Sequence, residues 1–117
     1  MMAGRVDGYA VPCTHRDEVC KLPGGAVILA ANAHCAVQAM VCERDGLRFW
    51  VVQYHPELDP ATLGRGLARR KRVSSEVCAD LMRVETDAAA AERLGVRPGE
   101  MAVPIRDMEL RNWLAQI

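Results

Sequence analysis

The stretch Phe49-Trp50-Val51-Val52-Gln53-Tyr54-His55-Pro56-Glu57 decides how this chain folds. Its first part is apolar, β-branched and aromatic, which predicts a buried strand that ends near Tyr54. Pro56 fixes its own φ and favours extended backbone at His55, so the chain leaves the strand on a defined path. Side chains two positions apart on extended backbone point to the same side, so Glu57 can reach the imidazole of His55.

A histidine followed by a carboxylate forms two thirds of a common catalytic arrangement. The carboxylate fixes the tautomer of the imidazole and stabilises the imidazolium, while the imidazole serves a nucleophile. At the end of an unrelated strand, the same His-x-Glu pair is an ordinary surface pair with no catalytic role. The flanking sequence decides between these two interpretations.

Three segments precede the strand in a fixed order, and they carry the resemblance to a known family. They are Cys13-Thr14-His15-Arg16-Asp17-Glu18-Val19, Leu22-Pro23-Gly24-Gly25-Ala26 and Ala36-Val37-Gln38-Ala39-Met40. From about residue 9 to residue 59 the chain resembles the last part of the class I glutamine amidotransferases, in particular the glutaminase domain of the GMP-synthase type. The family pattern there is Ser/Thr-His-x-Asp-x-Val, Leu-Pro-x-Gly-Ala, a Gln-Ala strand and Gln-Phe/Tyr-His-Pro-Glu. Residues 109–114 also resemble the C-terminal helix of bacterial stand-alone members.

The resemblance implies a glutaminase site. A cysteine thiolate attacks the side-chain amide of glutamine, and the ammonia released is delivered to an acceptor. Carried over to this chain, His55 is the general base and acid, and Glu57 orients it. Thr14 and His15 match the turn whose backbone lies near the α-carboxylate and α-ammonium groups of bound glutamine.

The resemblance also implies the fold. We expect an α/β chain that forms the C-terminal part of a flavodoxin-like, open-sheet amidotransferase domain, with strands first and helices after them. In that fold the central strands are parallel and apolar on both faces. Residues 1–117 then form a single partial domain, in which residues 1–59 are a strand-rich site half and residues 60–117 a helical tail.

The nucleophile of the family is missing from the pattern. In the family it lies on a Gly-x-Cys-x-Gly elbow, a strained strand-to-helix turn that needs small residues around the cysteine. None of the five cysteines here has flanking glycines. We therefore expect a fragment, a truncated reading frame or a degenerate relative that is inactive by itself. Two alternatives stay open: a non-catalytic partner subunit, and a hydrolase that acts on a γ-glutamyl amine or peptide.

Composition excludes several function classes. Lys+Arg and Asp+Glu both total 15, so no global charge draws the chain to nucleic acid or to an anionic membrane. No secretory signal is visible, and residues 26–42 are too short and too polar to span a bilayer. An odd number of cysteines predicts reduced thiols in the cytoplasm. We expect no cofactor and no metal, because Cys13, His15, His34 and Cys35 lack zinc-ligand spacing.

The expected partners are glutamine as substrate and a synthase domain or a complementary chain that carries the nucleophile half. Residues 26–31, which have no polar face, also predict self-association.

Local patterns predict the individual elements. Strands are expected at residues 9–13, 26–31, 36–42 and 48–54, with a hairpin turn at Asp45-Gly46. Asp59-Pro60 predicts a helix start, because aspartate caps the first turn and proline suits its first position. A second helix is predicted from residue 75 to residue 94, ended by Gly95, and a third from residue 107 to residue 116.

Overall fold

Three strands precede five helices in the computed structural model, which describes all 117 residues. The chain divides into two units. The strand unit comprises Cys13–His55, and the helical unit comprises Met1–Pro12 and Pro56–Ile117. The predicted α/β class, with strands first and helices after them, is confirmed. None of the helices has the length and apolar character needed to cross a membrane.

The strand unit is an antiparallel meander in the order β1-β2-β3. Its strands are β1 (Ala26–Ala30), β2 (Ala39–Arg44) and β3 (Leu47–Val52). Asp45 and Gly46 join β2 to β3 with φ values of 53° and 76°. Positive φ at both central residues is the geometry of a type I′ turn, whose twist matches the flanking strands. The predicted hairpin at Asp45-Gly46 is confirmed. Because β1 also pairs antiparallel with β2, the parallel arrangement expected from the family fold is wrong for these three strands.

The apolar strands are less buried than their composition predicted. Phe49 is 53% exposed and Val27 is 58% exposed, whereas Ala39 and Cys42 are buried. The strand unit contains no helix of its own, so within this unit no helix covers the large apolar side chains of the sheet. A sequence pattern predicts the tendency to be buried, but it does not supply the covering element.

Two predicted strands differ from the observed ones. Residues 9–12 form no strand, and Cys13 forms only an isolated bridge with Tyr54. The strand predicted at residues 36–42 begins later, at Ala39. The turn before it is closed by Asn32, whose Oδ1 accepts hydrogen bonds from the backbone N–H groups of His34 and Cys35, both at 2.9 Å. Such side-chain acceptors compete with strand pairing.

The helical unit contains five helices. They are α1 (Pro60–Arg70), α2 (Ser75–Leu81), α3 (Ala88–Arg93), α4 (Val103–Arg106) and α5 (Met108–Leu114). The start of α1 is as predicted: Asp59 accepts hydrogen bonds from the backbone N–H groups of Ala61 and Thr62, and Pro60 opens the helix. The third predicted helix corresponds to α5, and α4 was not predicted.

The single helix predicted over residues 75–94 is interrupted. Asp87 accepts hydrogen bonds from the backbone N–H groups of Ala89 and Ala90, so it caps a new helix rather than continuing the old one. Val84 lies in the interruption and is only 2% exposed, in a core with Ala91, Val96 and Met101. Burial of Val84 and capping by Asp87 together outweigh continuous helix propensity. Gly95 follows α3 with φ 69°, as expected of a helix stop.

The first residues of the chain are hydrogen-bonded to residues between Glu100 and the end of α5. Arg5 Nε donates to Glu109 Oε1 at 2.7 Å, and the carboxylate of Glu109 is fully buried. The backbone N–H of Ala10 donates to Glu100 Oε1 at 3.1 Å. Asn112 Nδ2 lies 2.8 Å from the carbonyl oxygens of residues 1 and 3. The helical unit is therefore assembled from segments far apart in sequence.

Two glycines of α1 provide a matched test of helix packing. A Cβ at Gly64 would lie 2.8 Å from the carbonyl oxygen of Cys78 in α2, whereas a Cβ at Gly66 would meet nothing within 4 Å. We expect Gly64→Ala to lower the free energy of unfolding by about 1–3 kcal/mol through overpacking. We expect Gly66→Ala to raise it by about 0.5–1 kcal/mol, because alanine loses less backbone entropy in a helix. Urea denaturation followed by circular dichroism measures both, and equal effects would contradict the close packing of α1 on α2.

Candidate active site

The structure brings His55 and Thr14 together. His55 is half-buried just beyond β3, and its Nε2 lies 3.4 Å from the carbonyl oxygen of the exposed Thr14. Because a carbonyl oxygen can only accept, Nε2 carries the proton in this contact.

The buried side chain of Arg106 holds the residue that follows His55. Pro56 is fully buried, and its carbonyl oxygen accepts a hydrogen bond from Arg106 Nε at 3.3 Å. Arg106 is itself buried and also donates to Glu85 Oε1 at 2.6 Å. Glu57 comes next in the chain and is exposed. The sequence did not indicate Arg106, because an arginine in a helical segment gives no sign of which carbonyl it will meet.

His15 is held at both ring nitrogens. Its Nδ1 lies 2.9 Å from the carbonyl oxygen of Asp17, and its Nε2 lies 3.4 Å from Nε2 of Gln38. The carbonyl fixes Nδ1 as the donor, so in the neutral ring Nε2 is the acceptor. The amide of Gln38 then donates to it. The exposed His15 is thus tied into the strand unit through its side chain as well as its backbone.

Two glutamines accept hydrogen bonds from two thiols in this region. Cys13 Sγ lies 3.7 Å from Gln38 Oε1, and Cys35 Sγ lies 3.1 Å from Gln53 Oε1. The other end of the Gln53 amide donates to the carbonyl oxygen of Asp17 at 3.1 Å. Sequence reasoning placed these glutamines only within motifs. The available signal was a polar amide next to an apolar run, which needs partners when it is buried.

Cys13 does not have the environment of an activated nucleophile. Partial burial of its thiol raises the pKa of Cys13, and the neighbouring Cys35 raises it further. Cys35, Cys42 and Cys78 are buried, and Cys20 is exposed. The 117 residues contain no group of three or more His, Cys, Asp or Glu side chains arranged to hold a metal ion.

The raised pKa of Cys13 gives a direct test of its reactivity. The thiolate is the reactive form, so we expect alkylation of Cys13 by iodoacetamide to accelerate only above the pH at which an ordinary cysteine titrates. Mass spectrometry of the peptide that contains Cys13, taken over a pH series, measures the rate. A Cys13 peptide of scrambled sequence serves as the unstructured control. A midpoint below that of the control would identify Cys13 as an activated thiol.

Known proteins match the part of the chain that contains these site residues. The family described as Glutamine amidotransferase class-I matches residues 2–74. A Gamma-glutamyl-L-1-hydroxyisopropylamide hydrolase from Pseudomonas sp is 47% identical over 58 residues, which are 50% of this chain and 19% of that protein. One subunit of the glutamine-hydrolyzing GMP synthase from Methanoregula boonei is 35% identical over 65 residues, 56% of this chain and 34% of the relative.

A third relative also matches about half of this chain. The glutamine-hydrolyzing GMP synthase of Methylibium petroleiphilum is 37% identical over 57 residues, 49% of this chain and 10% of that protein. This chain therefore spans between 10% and 34% of the length of these three relatives. No solved structure gives a significant match. The family match covers more than half of the 117 residues and includes Thr14, His15, His55 and Glu57. The chain belongs to the class I glutamine amidotransferase family.

Proposed function

We propose that this chain supplies the histidine and the glutamate of a class I glutaminase site, which hydrolyses glutamine to glutamate and ammonia for transfer to an acceptor. His55 is the general base and acid, and Glu57 orients it. The turn at Thr14 and His15 holds the α-groups of glutamine, and residues 1–117 form one partial domain. The supporting observation is that the family match spans all four residues while Thr14 and His55 lie together at 3.4 Å.

The nucleophilic cysteine of this site comes from outside these 117 residues, because no cysteine here is flanked by glycines. His55 takes the proton of the cysteine thiol, the resulting thiolate attacks the side-chain carbonyl carbon of glutamine, and the imidazolium gives that proton to the departing ammonia. His55 then takes a proton from the water that hydrolyses the thioester, which releases glutamate. The imidazolium formed in each step needs the carboxylate of Glu57 to stabilise it.

The acceptor of the ammonia lies on a synthase domain or on a separate synthase chain. In support, one relative is by its name a subunit of a glutamine-hydrolyzing GMP synthase. We also infer a cytoplasmic location from the five free cysteines, since reducing compartments keep thiols unpaired.

A second candidate function is hydrolysis of a γ-glutamyl amide in which the leaving group is an alkylamine rather than ammonia. It is favoured by the relative that is 47% identical and is named for such a substrate. The same residues would act, because the bond broken is the same γ-amide bond. Parallel assays with glutamine and with γ-glutamyl isopropylamide distinguish the two functions when the values of kcat/KM are compared. They require a protein in which the nucleophilic cysteine is also present.

The catalytic assignment is tested in a chimera in which residues 2–74 replace the matching segment of the Methanoregula boonei protein. We expect the chimera to release ammonia from glutamine in a coupled assay. His55→Ala and Glu57→Gln should each lower kcat by at least about a hundredfold, because the first removes the proton carrier and the second the charge that stabilises the imidazolium.

His34→Ala is the matched control, since His34 is exposed in the turn before β2, and its rate should equal that of the unmodified chimera. Wild-type rates in the His55→Ala chimera would contradict the assignment. A chimera that folds but hydrolyses neither substrate would favour the remaining alternative, a non-catalytic partner subunit. The 117-residue chain alone should release no ammonia in the same assay.

Exposed apolar side chains on the sheet lead us to expect self-association of the isolated chain. Phe49 and Val51 of β3 are 53% and 37% exposed and lie on the same face as Ile28 of β1, which is 44% exposed. An exposed apolar patch beside open strand edges favours association. Light scattering after size exclusion should give a mass above 12.9 kDa that falls on dilution.

A double variant, Phe49→Thr with Val51→Thr, should shift the chain toward the monomer while keeping strand propensity. Val103→Thr is the control, because Val103 is 52% exposed but lies in the helical unit. A wild-type chain that stays monomeric over a hundredfold concentration range would contradict this expectation.

A further inference from the structure

Two glutamines lie side by side where the strands of the meander end. Gln38 immediately precedes β2, Gln53 immediately follows β3, and the backbone N–H of Gln53 donates to the carbonyl of Gln38 at 2.8 Å. Gln38 is buried, with only 6% of its surface exposed. A buried amide needs partners for both its oxygen and its nitrogen. The orientation of this amide is therefore set by its neighbours.

The carbonyl oxygen of Asp17 fixes the direction of every hydrogen bond around Gln38. It accepts from His15 Nδ1 at 2.9 Å and from Gln53 Nε2 at 3.1 Å. Since a carbonyl cannot donate, Nδ1 of His15 must bear a proton. The Nε2 atom of the neutral ring is then an acceptor, and Gln38 Nε2, 3.4 Å away, is its donor.

The oxygen of the Gln38 amide also has a partner. With its nitrogen directed at His15, Gln38 presents Oε1 to the thiol of Cys13, whose Sγ lies 3.7 Å away. A protonated thiol can donate to that oxygen, and burial favours the protonated form by raising the pKa of Cys13. Donors and acceptors alternate without conflict from Cys13 through Gln38 and His15 to Asp17.

The opposite tautomer of His15 would place one hydrogen-bond acceptor against another. If Nε2 of His15 bore the only ring proton, the lone pair of Nδ1 would face the Asp17 carbonyl at 2.9 Å. Gln38 would then have to rotate its amide and turn its NH₂ group toward the Cys13 thiol, which is a weak acceptor. Only one tautomer satisfies all four groups.

We propose that Gln38 is a positioning residue that, together with the carbonyl of Asp17, holds His15 in its Nδ1–H tautomer and thereby fixes the peptide group between Thr14 and His15. The carbonyl of that peptide group is the one that lies 3.4 Å from His55 Nε2. The inference rests on the proposed function, because this turn matters for catalysis only where His55 does. Gln38 acts through His15 and does not itself touch the reacting atoms.

Gln53 is the natural comparison for Gln38. It also accepts from a thiol and donates to the turn, but it contacts the Asp17 carbonyl and not the ring of His15. Loss of its amide therefore removes one of two donors to Asp17 and leaves the hydrogen bond from His15 in place. A change at His15 that follows loss of Gln38 but not of Gln53 must come through the ring contact.

The test is nuclear magnetic resonance of the ¹⁵N-labelled chain at neutral pH. Long-range correlations between ring protons and ring nitrogens distinguish the two tautomers of each histidine. His15→Gln assigns the signals of His15, and the exposed His34 serves as an internal reference. We expect His15 to show the Nδ1–H pattern alone.

Two substitutions of Gln38 should change this pattern in different ways. Gln38→Met removes the donor, so the Nε2–H pattern should appear and that of Nδ1–H should weaken. Gln38→Glu places a carboxylate opposite Nε2, so both ring nitrogens should become protonated. Gln53→Met should leave the His15 pattern as it is, and dispersion of the backbone amide signals checks that each variant is folded.

Several outcomes would overturn the inference. A wild-type His15 in the Nε2–H form, or in a mixture of forms, would do so without any variant. An unchanged His15 in folded Gln38→Met would show that Asp17 alone fixes the ring. The proposed function is tested separately. A folded chimera without glutaminase activity would contradict the proposed function, but it would not change the tautomer of His15 that nuclear magnetic resonance measures.

Discussion

The two-residue turn at Asp45 and Gly46 sets the register on which the candidate site depends. Both residues have positive φ, which only a few residue types tolerate, and the turn pairs Glu43 with Arg48 and Ala39 with Val52. Because side chains alternate along a strand, a slip of one residue would move every one of them to the other face. Gln38 and Gln53 are neighbours because this register continues one position beyond the paired strands.

Neighbouring amides then organise the turn at residues 13–17. A single backbone carbonyl, that of Asp17, accepts from a histidine ring and from a glutamine side chain. Such a shared acceptor fixes donors in a way that an isolated surface hydrogen bond does not, because each partner restricts the next. Thr14 and His15, two of the site residues carried over from the family, therefore sit on a turn held by the side chains of Gln38 and Gln53.

Some features of this fold follow directly from the sequence, and others do not. The start of α1 and the hairpin were predictable because Asp-Pro and Asp-Gly act through local backbone geometry. The break between α2 and α3 was not, since it depends on Val84 reaching a core built from residues up to Met101. The histidine and the glutamate were found by motif, but the contacts of Arg106 and Gln38 were not predictable, because their partners are carbonyl and ring atoms that only the folded chain brings near. Burial of the strands was overestimated, since periodicity carries no information about the covering element.

The hydrogen bonds that join the first residues to the last helices have a consequence for synthesis on the ribosome. Residues 13–55 are contiguous, so the strand unit can form while the helices that follow are still being made. Arg5 cannot pair with its carboxylate partner until Glu109, 104 positions later in the chain, has been synthesised. Closing so long a loop costs more entropy than a local contact and slows folding. Residues 1–5 therefore complete their hydrogen bonds only after α5 has been made, so the order of synthesis is part of how the helical unit is built.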